Sequence, residues 1–136
     1  MVDLVITAAS VLQGSTAQVE KGTAGATITA GQVVYLDATD NKYKLADTDS
    51  VTAAVRVPVG IALNGAADGQ PLSIVTSGDI VIGATMTAAT AYYLSGTPGG
   101  IAPVADLATG DYPCILGMAT STTLLNIKIN CAGVAL

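Results

Sequence analysis

The chain has 136 residues, a length typical of a single domain and too short for two ordinary ones. Hydrophobic residues make up 51% of it and charged residues 11%, and histidine, phenylalanine and tryptophan are absent. A net charge of -5 offers no basic face to a phosphate backbone, so we expect no nucleic-acid partner. The missing histidine removes the commonest general base and metal ligand, which disfavours an enzyme.

The N-terminus lacks the basic region of a signal peptide, and no apolar stretch approaches 18 residues. We therefore expect synthesis in the cytoplasm and no membrane partner.

Short runs rich in Val, Ile, Thr and Tyr alternate with Gly, Asp, Asn and Pro along the chain, which predicts an all-β fold. Sustained helical spacing is absent, and only residues 48–54 permit a short helix. The predicted strands are Val33–Leu36, Val55–Leu63, Leu72–Thr76, Asp79–Ile82, Ala91–Leu94, Tyr112–Ala119 and Leu124–Ile129.

Turn residues separate these strands. Asn64-Gly65 and Asp68-Gly69 supply the positive φ that tight turns need, and Ser77-Gly78-Asp79 predicts another turn. The stretch Thr97–Gly100 predicts a loop, because Pro98 and its following glycines cannot continue a strand.

The sequence contains an internal repeat with an offset of 58 residues. Gly25–Leu36 (GATITAGQVVYL) aligns with Gly83–Leu94 (GATMTAATAYYL), and seven of the twelve positions are identical. With small shifts in offset the similarity extends to residues 25–75 and 83–130. Each repeat would be a meander too small to bury its own apolar face. We expect one β domain over residues 25–136, a small barrel or sandwich of two pseudo-symmetric repeats that share a strand order and are related by a pseudo-two-fold axis.

Residues 1–24 lie outside the repeats. They combine a short apolar opening, Leu4, Val5 and Ile6, with Ser, Gln, Gly and Thr. Two interpretations stay open for this segment. It is an N-terminal arm that pairs with a sheet edge or stays mobile, or it is a first strand with a loose loop.

The two cysteines lie far apart in sequence. Cys114 belongs to an apolar run and Cys131 lies near the C-terminus, with no CxxC motif and no secretory context. This pattern predicts small core residues rather than a disulfide.

Four aspartates fall within residues 37–49. An oxygen-rich cluster can hold Ca²⁺, but the EF-hand spacing with its terminal glutamate is missing. Two lysines are interleaved with the acids, so a solvated hairpin is the preferred interpretation and we predict no metal. The residues are Asp37, Asp40, Asp47 and Asp49, with Lys42 and Lys44.

Other chemistry is poorly supported. Tyr92 and Tyr93 point to opposite faces of a strand, and five tyrosines without tryptophan make a poor sugar-binding platform. The glycines of residues 96–100 lack the helix and Lys-Ser/Thr pair of a phosphate loop. A carboxylate pair such as Asp37 and Asp106 would suit a hydrolase, but nothing in the sequence sets their separation. We expect no catalytic residue and no cofactor.

Three stretches carry a family resemblance: residues 25–47 (GATITAGQVVYLDATDNKYKLAD), 59–79 (VGIALNGAADGQPLSIVTSGD) and 99–112 (GGIAPVADLATGDY). Together they resemble the capsid cement, or head decoration, proteins of tailed bacteriophages, a family formerly classed as a domain of unknown function. The similarity spans roughly residues 25–130 and consists of turn-and-strand signatures. Residues 1–24 match the family pattern least.

The resemblance implies a β-rich protein that adds to the outside of an expanded capsid and locks neighbouring coat subunits together. Its partner would be the major capsid protein, and the protein would be a homo-oligomer, with a trimer favoured. The expected location is the virion surface, after synthesis in the host cytoplasm. The resemblance implies no active site.

Multivalent clamping would use turns, ends and sheet edges as contacts. An alternative function is a receptor- or surface-binding β module of a phage fibre or adhesin, which would need exposed aromatic residues or a carboxylate metal cage. The candidate interaction residues are Leu4, Val5 and Ile6 in the N-terminal segment, Asp37, Asp40, Lys42 and Lys44 in the predicted hairpin, and Pro98 and Gly99 in the loop.

Overall fold

The computed structural model describes residues 3–103 and 109–135. Within these residues the fold is all-β, as predicted, with two short 3-10 helices, Ala8–Ser10 and Ala53–Arg56. The strands are β1 (Leu12–Gln13), β2 (Gln18–Thr23), β3 (Val33–Asp37), β4 (Lys42–Leu45), β5 (Gly60–Ala62), β6 (Pro71–Val81), β7 (Ala91–Leu94), β8 (Ile101–Pro103), β9 (Cys114–Ala119) and β10 (Leu124–Cys131).

The strands form one antiparallel sheet in the order β4-β3-β5-β6-β10-β9-β7-β8. The sheet is curled and forms a half-barrel. The strands β1 and β2 lie off this path, and both pair with β6.

The two repeats have the same strand order and the same register. Read from its two ends, the sheet runs β4-β3-β5-β6 in the first repeat and β8-β7-β9-β10 in the second. This correspondence confirms the predicted shared strand order. The offset is 58 residues for both strands of the β3–β4 and β7–β8 hairpins, and 57 between β5 and β9. The equivalent pairs are Val33–Ile61 and Ala91–Met118, Val34–Gly60 and Tyr92–Gly117, and Val34–Leu45 and Tyr92–Pro103.

Equivalent faces of the two repeats lie in different surroundings. Val34 and Ile74 face a smaller core cluster, whereas the residues at the same ladder positions in the second repeat, Tyr92 and Leu125, face the larger one. The other face of the first repeat is also buried in the larger cluster, so its strands are covered on both sides.

The N-terminal segment packs on its own sheet. Leu12 of β1 pairs with Val81, and β2 pairs along the first half of β6. Val11 is buried in the larger core cluster, and Leu4 and Ile6 pack against that cluster. Residues 12–23 therefore contribute the first strands of this sheet.

The turn predicted at Ser77-Gly78-Asp79 is wrong. These residues lie inside the continuous strand β6, where the pairing with β2 shifts by one residue between Gln18 and Val19. Gly78 has a φ of +88°, and an added Cβ would collide with the backbone of Thr16. The glycine thus lets β6 continue close to the Thr16 backbone beside the pairing shift, and it does not form a turn that ends the strand.

The strand predicted at Val55–Leu63 begins later than expected. Pro58 has no N–H for a ladder, and pairing with β3 starts just beyond it, where the Val59 N–H donates to the Val34 carbonyl (2.8 Å). Before the proline, Arg56 ends a 3-10 helix and stacks over the Tyr112 ring at 3.5 Å. The helix permitted at residues 48–54 is replaced by turns and the start of this short 3-10 helix.

The prediction of two free core cysteines is wrong, because Cys114 and Cys131 form a disulfide. Cys114 opens β9 and Cys131 closes the antiparallel neighbour β10, where the two residues are paired directly with Cα atoms 4.0 Å apart. Cys114 is fully buried, as predicted. Strand register, which sequence spacing does not reveal, brings the two sulfurs together.

Candidate interaction surfaces

The N-terminal segment and the loop between β7 and β8 lie side by side. The Leu4 N–H donates to the Ile101 carbonyl (2.8 Å), and the Ser95 hydroxyl donates to Asp3 Oδ1 (2.7 Å). The N-terminal segment and this loop, which the sequence analysis predicted as separate interaction regions, thus form one surface. We call it the arm–loop surface. It comprises Asp3, Leu4, Ile6, Thr29, Ala30, Gly31, Gln32 and Thr97–Gly100.

Residues of this region differ in what they can contact. Val5, beside the arm–loop surface, is 84% exposed, and Pro98 is exposed as well. Gly99 is buried with a φ of +76°; its N–H donates to the Ala46 carbonyl (2.7 Å) and its carbonyl accepts from the Val33 N–H (2.9 Å). Gly99 therefore positions the loop, whereas Val5 and Pro98 are available to a partner.

The β3–β4 hairpin carries a network of alternating charges. The Lys44 ammonium lies 2.7 Å from Asp37 Oδ2 and 3.2 Å from Asp40 Oδ2, and the Lys42 ammonium lies 3.4 Å from Asp68 Oδ1. We call Asp37, Asp40, Lys42 and Lys44 the hairpin surface. The acids and bases that the sequence grouped here do meet in space.

The pairing in the hairpin surface changes the acidity of its groups. The hydrogen bond from Lys44 holds the pKa of Asp37 well below its ordinary value, and the same bond raises the pKa of Lys44. An ammonium group therefore occupies the space between Asp37 and Asp40. Within residues 3–103 and 109–135, no group of three or more potential ligands is placed to hold a metal.

The arm–loop surface and the hairpin surface lie at opposite ends of β3. Val33, at the start of the strand, receives the loop through Gly99, and Asp37 ends the strand in the hairpin. The two positions are four residue steps apart along the strand, about 13 Å at 3.3 Å per residue. The hairpin surface thus lies at one end of the β3–β4 pair, and the arm–loop surface adjoins the other end.

A second group of acids lies near the chain reversal after β4. Burial and a side-chain hydrogen bond with Asp49 raise the pKa of Asp47 to about 6, and the charge of Asp111 adds to the rise. The Asp49 N–H donates to Asp47 Oδ1 (3.1 Å). The pair Asp37 and Asp106 stays untested, because Asp106 lies outside the described residues.

The free energy of unfolding is expected to rise as the pH falls from about 6 to about 4. The folded protein binds the Asp47 proton more tightly than the unfolded chain, in which the pKa returns to 3.8, so protonation favours the folded state in this window. Asp47→Asn should remove the rise, because its amide replaces the protonated carboxyl. Urea denaturation at about pH 4.5 and about pH 7 measures the difference.

Asp68→Asn is the matched control, since it removes an exposed turn carboxylate and should keep the rise. An equal pH dependence in Asp47→Asn and the wild type would assign the effect to other groups. Below about pH 4 the trend should reverse, because Asp37 then binds a proton in the unfolded chain while Lys44 keeps it ionised in the folded protein.

The outer face of the second repeat carries a groove that the sequence analysis missed. Its volume is about 490 Å³. Met118, 52% exposed, lies in it, beside the half-buried Ile115 and Ile129. Comparison of the two repeats could have revealed this groove, because Met118 occupies the position that the buried Ile61 occupies in the first repeat. We call this the outer groove, lined by Ala91, Ile115, Met118, Lys128, Ile129 and Asn130 among others.

Comparison of the chain with models of known protein families found no match, and comparison with curated proteins found none either. Of the helices in the described residues, none has the length and apolar character needed to cross a bilayer.

Proposed function

We propose that the protein binds the outside of an expanded phage capsid and stabilises it by clamping neighbouring coat subunits. The observation that carries the proposal is the placement of the arm–loop surface and the hairpin surface at opposite ends of one strand pair. A clamp needs two separate contact surfaces on one rigid body. The resemblance to capsid cement proteins supports the same function, with the major capsid protein as partner.

Two properties of the chain support a structural role. The charged groups of the hairpin surface are all paired, Lys44 with Asp37 and Asp40 and Lys42 with Asp68, which suits a static contact better than proton transfer. The sheet is curled, and backbone bonds of the N-terminal segment to Ile101 and Gly83 hold that segment in place. In this proposal the protein acts on the virion surface, performs no catalysis and assembles as a homo-oligomer, with a trimer favoured by the resemblance.

Many weak contacts become durable attachment when they are made together. An oligomer that spans several coat subunits engages them at a high effective concentration, so each contact surface can be small. The proposal therefore predicts binding that depends on the spacing of subunits in the lattice. Expanded shells should bind the protein and unexpanded procapsids should not.

Co-sedimentation with shells from its own phage tests the proposal. The purified protein is pelleted with expanded, undecorated capsids and, in parallel, with procapsids, each with and without a chelator. We expect saturable pelleting with expanded shells alone, unchanged by the chelator. Failure to pellet with either shell would overturn the proposal and favour the alternative of a receptor- or surface-binding module.

A further inference from the structure

The outer groove lies on a face that the first repeat keeps buried. In the first repeat, Val33 and Ile61 of this face are fully buried in the larger core cluster. At the same ladder positions the second repeat has Ala91, which is half-buried, and Met118, which is exposed. The fold therefore buries this face of the sheet in the first repeat and leaves the equivalent face of the second repeat exposed.

The residues of the outer groove suit an adaptable contact with a separately folded partner. Ala91 and Met118 replace larger branched residues of the first repeat by a small one and a flexible one, and methionine adapts to irregular partners. Asn126 stands where the first repeat has Val75, and its side-chain amide donates to Asp79 Oδ1 (2.9 Å). An apolar floor with a polar margin is typical of non-obligate interfaces.

The charge of the groove defines its partner further. Of the described residues that line it, only Lys128 is charged. Its side chain is exposed and has no ion pair with any described carboxylate. Since the protein as a whole carries a charge of -5, this isolated cation on an apolar floor favours a partner that brings a carboxylate.

We infer that the outer groove receives an extended apolar segment of the coat subunit, with a carboxylate of that segment bound by Lys128. The inference rests on the proposed function and names the third contact of the clamp. Apolar side chains of the segment pack on Met118, Ile115 and Ile129, and the exposed Asn130 borders the floor. The hairpin and arm–loop surfaces then position the protein on its neighbours, and the outer groove supplies the apolar area.

Pelleting with expanded capsids over a range of protein concentrations tests the inference. Met118→Glu places a charge on the apolar floor, and Lys128→Glu reverses the charge that binds the carboxylate. Each should raise the half-saturating concentration at least about ten-fold. The matched controls are Val57→Glu, at an apolar residue 53% exposed, and Lys21→Glu, at an exposed strand lysine, and both should stay within about two-fold of wild type.

The outcomes separate the two proposals. Wild-type pelleting with unchanged binding of Met118→Glu and Lys128→Glu overturns the outer-groove contact and leaves the proposed function standing. No wild-type pelleting overturns both. If Met118→Glu changes the oligomeric state in size-exclusion chromatography without shells, the occupant is a second copy of this chain and the coat segment is excluded. Thermal melting of each variant verifies that it is folded.

Discussion

Gly117→Ala is expected to lower the free energy of unfolding by about 3 kcal/mol. Gly117 lies in the middle of β9, and a Cβ there would collide with the backbone oxygen of Asn126 on the paired strand β10. Because that atom belongs to a ladder backbone, it cannot swing aside, and the strands must separate. Urea denaturation measures the change as a lower midpoint.

The equivalent glycine of the first repeat gives an independent test. A Cβ at Gly60 would lie 2.5 Å from the backbone oxygen of Val75, so Gly60→Ala should destabilise by a similar amount. Gly65→Ala is the control, since its nearest neighbour would be at an ordinary 3.7 Å and the expected change is below about 0.5 kcal/mol. A wild-type midpoint for Gly117→Ala would refute the close approach of β9 to β10 at this position.

Removing the Cys114–Cys131 disulfide is expected to cost about 3 kcal/mol of stability. The bond joins residues 17 apart in sequence and links the start of β9 to the end of β10, so reduction frees a loop in the unfolded chain. Urea denaturation with and without dithiothreitol should show a lower midpoint in the reductant.

The double variant Cys114→Ala with Cys131→Ala is the control for that experiment. Its urea midpoint should be lower than that of the oxidised wild type, and dithiothreitol should not change it. Alanine is chosen because Cys114 is fully buried, where a serine hydroxyl would need a hydrogen-bond partner. A wild-type midpoint insensitive to reductant, with two free thiols found by mass spectrometry, would contradict the disulfide.

The sequence predicted the fold class, the strand Ala91–Leu94 at its observed bounds and the repeat, because these depend on local composition and on similarity within the chain. Ladder positions then agreed with the offset of 58 in both hairpins. The sequence-based prediction misplaced turns and strand ends where contacts between distant residues determine the local structure. The pairing shift at Thr76 involves β2, Gly78 lies against the backbone of Thr16, and Arg56 at the end of the 3-10 helix stacks on the distant Tyr112.

The sequence indicated which segments could contribute to an interaction surface, but not which segments meet in space. The charge pairing of the hairpin surface follows from residues close in sequence, so it could be predicted. The meeting of Leu4 with Ile101 could not, because it depends on how the N-terminal segment crosses the sheet. The outer groove was also missed, since only the structure shows that Ile61 is covered while Met118 is open.

The disulfide could not be predicted either, because it depends on strand register. Its two cysteines are separated by most of β9 and β10, and the register between these strands shifts between Ile127 and Asn130. A shift of one residue would have moved Cys131 away from Cys114. The sequence contains no signal for that irregularity, so composition alone favoured free thiols.

Heat stability of the shell tests the clamp most directly. Expanded, undecorated capsids are heated with increasing amounts of the protein, and their disruption is followed by light scattering. If the protein clamps the shell, the disruption temperature rises and levels off when the binding sites are saturated, and a chelator leaves it unchanged. Saturable binding without any rise in the disruption temperature would contradict the clamp.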